Sequence, residues 1–250
     1  MSLVASLAIR DASRSFGGIA AVQNVTLELT EGVVTALVGP NGAGKTTLFN
    51  LMTGHLVLDQ GDVILKGKSI LGLKPFEIAR MGVARSFQDL RLFSRMSVRD
   101  NILASIEPAP WFWQPGGAAG GRSRREIADR VLAETGLAAL ANTRAVDLSY
   151  AETKFLSLAR IMATGASIWL LDEPASGLDP GSRAQFVRLI REASSRGITV
   201  CLIEHNLDIV HELADRIAFL DRGCKLAEGL PAEILADEKL TAIYFGETRQ

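Results

Sequence analysis

One octapeptide constrains this 250-residue chain more than any other feature: Gly39, Pro40, Asn41, Gly42, Ala43, Gly44, Lys45 and Thr46 fit Gly-x-x-x-x-Gly-Lys-[Ser/Thr]. That pattern is a loop that cradles nucleotide phosphates. Glycines let the backbone bend so that successive N–H groups face an anion, and the following helix adds the positive end of its dipole. Lys45 places a charge on the terminal phosphates, and the Thr46 hydroxyl is a ligand for Mg²⁺. The context agrees. Val33–Val38 reads as a buried strand, and Thr46, Thr47 and the apolar residues up to Met52 read as the start of a helix.

A second pattern reinforces the first. Ile168–Leu171 is a continuous apolar run ending in Asp172 and Glu173, and Ile198–Ile203 is another, ending in Glu204 and His205. Such runs suit central parallel strands covered on both faces. Arg183–Ser195 supplies the helix between them, which makes a βαβ unit. Parallel strands deliver their C-terminal residues to the crevice where ligands bind. Asp172 is therefore expected to hold the Mg²⁺ shell, Glu173 to polarise an attacking water, and His205 to open onto the same crevice.

The rest of the chain reads as α/β. Residues 3–38 pattern as strands, with Leu7–Arg10 and Val25–Leu29 alternating and a turn at Thr30–Gly32. Val63–Leu65 with Gly67 suggests another hairpin, and Pro75–Met81 a helix. Residues 92–164 are mostly helical, with Arg124–Leu140 clearly periodic. Pro108–Gly121, rich in Pro, Gly and aromatics, is expected to be a loop or insertion. After Leu220 the pattern suggests a short strand pair and then helices.

Composition sets outer bounds. The net charge is −1 and the pI about 6.3, so no basic bulk charge points to nucleic acid. No apolar run approaches the ~18 residues of a membrane span. Met1–Arg10 lacks the basic start and long apolar core of a secretory leader. Two cysteines, Cys201 and Cys224, make no disulfide framework, which fits a reducing cytosol. His55 and His211 lack metal-ligand spacing. Arg122, Arg124, Arg125 and Arg130 read as a solvated helix face.

In order and spacing, these residues resemble the ATP-binding cassette (ABC) ATPases over nearly the whole chain. Gln88 stands at that family's Q-loop glutamine. Leu148, Ser149, Tyr150, Ala151 and Glu152 stand at its signature, and Ser176, Gly177, Leu178 and Asp179 at its D-loop. Phe16 falls where an aromatic ring stacks on adenine, although core packing would also account for it. The resemblance implies a P-loop NTPase fold with a RecA-like core, an antiparallel β subdomain and a helical subdomain. The whole chain, 1–250, would be one such module, with the helical part at about 92–164 and a C-terminal extension at 221–250.

The resemblance also implies a mechanism. Two modules, identical or different, face head to tail and sandwich ATP between one phosphate loop and the other's signature. Thr46, Gln88 and Asp172 serve Mg²⁺, Glu173 is the base, and His205 touches the γ-phosphate. Ser149 and nearby amides act on the partner's nucleotide. Here Ala151 and Glu152 replace the usual Gly and Gln, and the charge of Glu152 is expected to hinder a triphosphate site.

Arg80–Gln88, Arg91–Phe93, the Leu148-Ser-Tyr start of the signature and the tail Ile243–Glu247 are similar to the ATPases of branched-chain amino acid importers. The lipopolysaccharide-export ATPase is a close second, but tends to be shorter at 108–121. Soluble ABC proteins acting on DNA or ribosomes carry tandem modules, long inserts or basic patches not seen here. The expected partners are a second ATPase, transmembrane permeases that dock around Gln88 and, indirectly, a periplasmic solute-binding protein. The expected location is peripheral, at the cytoplasmic face of the inner membrane. Trp111–Trp113 either caps the helical subdomain or touches a permease.

Overall fold

The computed structural model describes residues 5–87, 90–106 and 117–245, without the side chains of 117–122 and 245. These residues divide into two compact units.

The first unit comprises residues 1–85, 167–176 and 190–250. It holds two sheets. The antiparallel sheet runs in the order β2-β1-β4-β5, from β1 (Ala5–Phe16), β2 (Ile19–Thr30), β4 (Gln60–Leu65) and β5 (Lys68–Ser69). Its hairpins close on Gly17–Gly18 and Lys66–Gly67, all four residues at positive φ, which matches the twist of two-residue turns. The other sheet has the order β10-β9-β3-β8-β7-β6. Its strands are β3 (Val34–Val38), β6 (Val83–Arg85), β7 (Ile168–Asp172), β8 (Thr199–Ile203), β9 (Arg216–Asp221) and β10 (Cys224–Gly229). All neighbours in it are parallel except β9 with β10.

Every residue of β3, β7 and β8 is buried, as their unbroken apolar runs require. Helix α1 (Lys45–Met52) follows β3, and α2 (Pro75–Arg80) precedes β6. The core joins both sheets through Leu7, Ile9, Leu27, Leu37, Phe49 and Leu170. The strand pair expected after Leu220 begins earlier, at Arg216, and its first strand belongs to the parallel sheet beside β3. The apolar stretch Ile217–Leu220 is too short to tell a buried strand from a helix end, so only pairing reveals its place.

The second unit comprises residues 86–166 and 177–189. It contains α3 (Val98–Ser105), α4 (Gly117–Glu134), α5 (Tyr150–Ala163) and most of α6 (Pro180–Ser195). Its interior includes Ile102, Val131, Leu132, Leu156 and Leu158, with Phe155 tilted against Phe186 at 5.9 Å between ring centres. Asn101, fully buried, donates to the Phe93 carbonyl (3.0 Å) and accepts the Phe93 amide (2.9 Å), which pins the turn before α3.

Two expectations are corrected here. Residues 117–121, read as loop, begin α4. Helix growth adds one hydrogen bond per residue once a strong segment has nucleated, so it outruns the weak propensity of Gly-Ala-Ala-Gly-Gly at 117–121. Arg124 is not on a solvated face: it is half-buried and donates to the Leu103 carbonyl at 2.7 Å. Arg125 and Arg130 are exposed, and the Arg122 side chain lies outside the described residues.

The chain closes with α7 (Leu207–Leu213), α8 (Pro231–Ala236) and α9 (Glu238–Phe245), all in the first unit. Both cysteines are free thiols. Burial pushes the Cys201 thiol well above its ordinary range.

Candidate functional site

Strand β3 delivers the chain to a loop that only glycine can form. A Cβ on Gly39 (φ +148°) would lie 1.9 Å from the Leu220 carbonyl oxygen, and one on Gly44 (φ +100°) would lie 2.4 Å from that of Ala21. Strands β9 and β2 therefore press on the loop from two directions. The turn after β9 adds a brace, since the Gly223 amide donates to the Ala43 carbonyl at 3.1 Å. Asn41, Gly42 and Thr46 are exposed, whereas Ala43 and Lys45 are buried. Gly44 caps α1, whose first turn carries no acidic side chain, so nothing of its own offsets the positive end of the helix.

Lys45 lies back along this loop. Its ammonium donates to the carbonyls of Gly39 (2.6 Å) and Pro40 (2.8 Å). Burial holds its pKa below the usual lysine range, against the opposing charges of Glu173 and then Asp172. A buried ammonium held by two carbonyls and facing two carboxylates is a strong local cation, suited to a polyanion.

The two carboxylates come from β7. Its register against β8 sets Asp172 beside Ile203, so the ends of the two strands meet. Asp172 is 6% exposed, and burial pushes its carboxyl above the ordinary range, with Arg85 first among the charges that pull it back. Glu173 takes φ +47°, the left-handed region that side chains rarely adopt, and its amide donates to the Ile203 carbonyl at 2.9 Å. Such backbone strain concentrates at functional sites. The turn aims Glu173 at the next strand: its Oε1 lies 2.9 Å from His205 Nε2. Glu204, buried between them in sequence, accepts the Ala175 amide at 3.0 Å and so ties the two strand ends together.

Phe16 is 43% exposed, which sets aside core packing. It ends β1 opposite Ile19, on the hairpin whose Ala21 abuts Gly44, and the Arg14 guanidinium lies 5.0 Å from its ring centre. An exposed ring beside a phosphate-loop brace is available for stacking. Thr47, the third residue of α1, is half-buried. Gln88 and the Trp111–Trp113 cluster lie outside the described residues.

Arg85 is a residue of the site that the pattern reading passed over. It is 6% exposed, and it donates to Asn50 Oδ1 (2.6 Å) and Thr53 Oγ1 (3.3 Å) at the end of α1. Its other terminal nitrogen lies 3.9 Å from Asp172, and its plane lies over the Phe49 ring. An arginine closing an otherwise apolar strand was the available signal, because a buried guanidinium needs a carboxylate partner.

In the second unit, Leu148 leads into Ser149, which caps α5. Ser149 Oγ accepts the Glu152 amide (3.3 Å), and Glu152 accepts the Ser149 amide (2.7 Å). This is a capping box. The carboxylate expected to be a stray charge near phosphate is thus held by the first turn of its own helix. Glu152→Ala should cost about 1 kcal/mol, and Glu152→Gln, which preserves the box, less than about 0.5 kcal/mol. Equal losses in urea denaturation would refute the capping role. Ala151 is half-buried and Tyr150 exposed, and a Cβ on Gly177 would meet the Tyr150 ring at 2.9 Å. Ser176 and Leu178 are half-buried in the same turn. Asp179 accepts the amides of Gly181 (3.0 Å) and Ser182 (3.1 Å) at the start of α6, and those bonds, with the Ser182 hydroxyl foremost, hold its carboxyl below the ordinary range.

Known proteins match this arrangement along most of the chain. The family model described as ABC transporter matches residues 22–176. The high-affinity branched-chain amino acid transport ATP-binding protein LivG of Salmonella typhimurium is 39% identical, over 96% of this chain and 98% of its own. The lipopolysaccharide export system ATP-binding protein LptB of Acidithiobacillus ferridurans is 36% identical, over 92% of each. The crystal structure of a nucleotide-free ATP-binding cassette from an ABC transporter superposes with a TM-score of 0.86 at 30% identity, covering 96% of this chain and 99% of that one.

Proposed function

This chain belongs to the ABC transporter family, and from that premise we propose that it is the subunit that binds and hydrolyses ATP to drive a membrane importer of branched-chain amino acids or related small polar solutes. The observation that carries the reading is the meeting of Lys45, at the start of α1, with Asp172, Glu173 and His205 at the ends of β7 and β8. Similarity to LivG over nearly the full length favours an amino-acid importer over lipopolysaccharide export.

The roles follow from placement. The loop amides of residues 41–46 and the Lys45 ammonium bind the β- and γ-phosphates, and Phe16 stacks on the base. Glu173 takes the proton of a water as its oxygen attacks the γ-phosphorus, and the bridging oxygen leaves with ADP. His205 holds the Glu173 carboxylate and meets the γ-phosphate. The residues also fit a bound Mg²⁺. Mg²⁺ takes one or two carboxylates plus substrate phosphates, and the Asp172 carboxylate, near the loop of the exposed Thr46 hydroxyl, supplies hard oxygen donors of that kind. Thr46 and Asp172, with Gln88, would hold the ion, which when bound neutralises charge on the phosphate oxygens.

Ser149 and the amides at the start of α5 would serve the nucleotide of a second ATPase module packed head to tail. No described helix is long and apolar enough to cross a membrane, so the transport path would come from permease subunits at the cytoplasmic face. A periplasmic solute-binding protein would deliver the cargo.

Lys45→Ala should weaken Mg-ATP binding about 10- to 150-fold, the loss of one charge-assisted contact. It should also abolish labelled leucine uptake in cells that depend on this subunit and its permeases. Calorimetry and uptake are read on the same variant. Unchanged affinity in the folded protein removes the site. Weakened affinity with normal uptake of leucine removes the importer reading alone.

A further inference from the structure

The C-terminal helix α9 reaches the site through one side chain. Tyr244 donates its hydroxyl to the backbone carbonyl of His205, the residue whose imidazole holds Glu173. The Tyr244 ring packs edge-on against Phe219 of β9, with ring centres 6.5 Å apart. Phe219 pairs with Val38, the last residue before the phosphate loop. A single tyrosine therefore rests on the strand beside the phosphate loop and holds the backbone of the His205 turn.

We propose that Tyr244 is a positioning residue for hydrolysis: its hydroxyl fixes the His205 carbonyl, and thereby the imidazole on Glu173 and the γ-phosphate. The inference rests on the reading of His205 given above. The His205 turn needs such support, because His205 is exposed and follows β8 after only one intervening residue, Glu204. Helix α7 begins two residues further on, and Asn206 spends its side chain capping it through the amides of Asp208 and Ile209. From outside, the turn is tied by the Glu204–Ala175 bond and the His205–Glu173 contact on one side and by Tyr244 on the other. Burial, and secondarily the nearby Glu204 charge, push the Tyr244 phenol above its ordinary pKa, so it stays protonated and a donor across the working pH range. A rigid support of this kind matters because catalytic groups displaced by a fraction of an ångström lose rate without losing affinity.

Tyr244→Phe removes only the hydroxyl and keeps the ring on Phe219. In the full chain it should lower the single-turnover rate of ATP hydrolysis about three- to tenfold, with ATP affinity and the melting temperature unchanged. His205→Ala should lower the same rate further, and Tyr244→Phe added to His205→Ala should have no additional effect. Protein in excess over labelled ATP resolves slow rates in all four forms. An unchanged rate in Tyr244→Phe, beside a lowered one in His205→Ala, overturns this inference alone. So does a loss of equal size in both backgrounds, since the tyrosine then acts elsewhere. An unchanged rate in His205→Ala overturns the role of His205 and this inference with it.

Discussion

Glu173→Gln should bind Mg-ATP as tightly as the parent chain and hydrolyse it about 10²- to 10⁴-fold more slowly, the usual contribution of a positioned general base. Glutamine keeps the volume and one hydrogen-bond acceptor, so the contact to His205 at 2.9 Å survives as a neutral one. The left-handed backbone at φ +47° and the amide bond to Ile203 owe nothing to the carboxylate, so the turn stays formed. Basicity is what is lost. A blocked hydrolytic step should also trap ATP-bound dimers, visible as an earlier-eluting species in size-exclusion chromatography with ATP. Parent-like turnover in a preparation free of contaminating ATPase would falsify the assignment of Glu173 as base.

Arg85→Met should destabilise the protein by about 3–5 kcal/mol, the usual result of deleting one member of a buried charge pair. The methionine fills much of the volume over Phe49 but supplies neither the bonds to Asn50 and Thr53 nor a cation beside Asp172. Burial already pushes the Asp172 carboxyl upward, and Arg85 is the largest charge opposing that shift. Without it the smaller pulls of His205 and then Lys45 oppose both burial and the repulsion of Glu173. Arg85→Lys keeps a charge but loses the planar fork, so it should fall between the two. Equilibrium urea denaturation measures all three forms. A loss under about 1 kcal/mol in Arg85→Met would show that the guanidinium is dispensable and that packing alone holds β6 against α1.

The expectations that met the structure well rest on patterns with steep physical consequences. The runs Ile168–Leu171 and Ile198–Ile203 have no polar side to turn toward water, so they had to be central strands, and the strands β7 and β8 lie side by side and parallel. The strand, the glycine-rich loop and the helix follow one another as the pattern requires, and Lys45 opens the helix. The expectations that failed were decided by residues far off in sequence. Whether Arg216–Asp221 is a strand depends on pairing with β3, roughly 180 residues earlier, and loop-closure over that span leaves no local trace. Arg124 was read as a member of a basic run, but its neighbour in space is the Leu103 carbonyl of another helix. Glu152 is a different case: the expected effect of its charge concerns a second module, while its spacing of three from Ser149 already carries the local signal of the capping box it forms.

By itself, then, the order of residues determined the α/β class, the phosphate loop at Gly39–Thr46 and the strand ends that carry Asp172, Glu173 and His205, because each follows from backbone sterics and burial within a short window. Tertiary structure alone decided what surrounds them. It set Leu220 and Ala21 against Gly39 and Gly44, placed Arg85 beside Asp172 under α1, and brought Tyr244 back to the His205 carbonyl. These are contacts between segments separated by tens to hundreds of positions. Their existence depends on how whole sheets and helices pack, and a buried charge or a braced turn becomes visible only when its partner does.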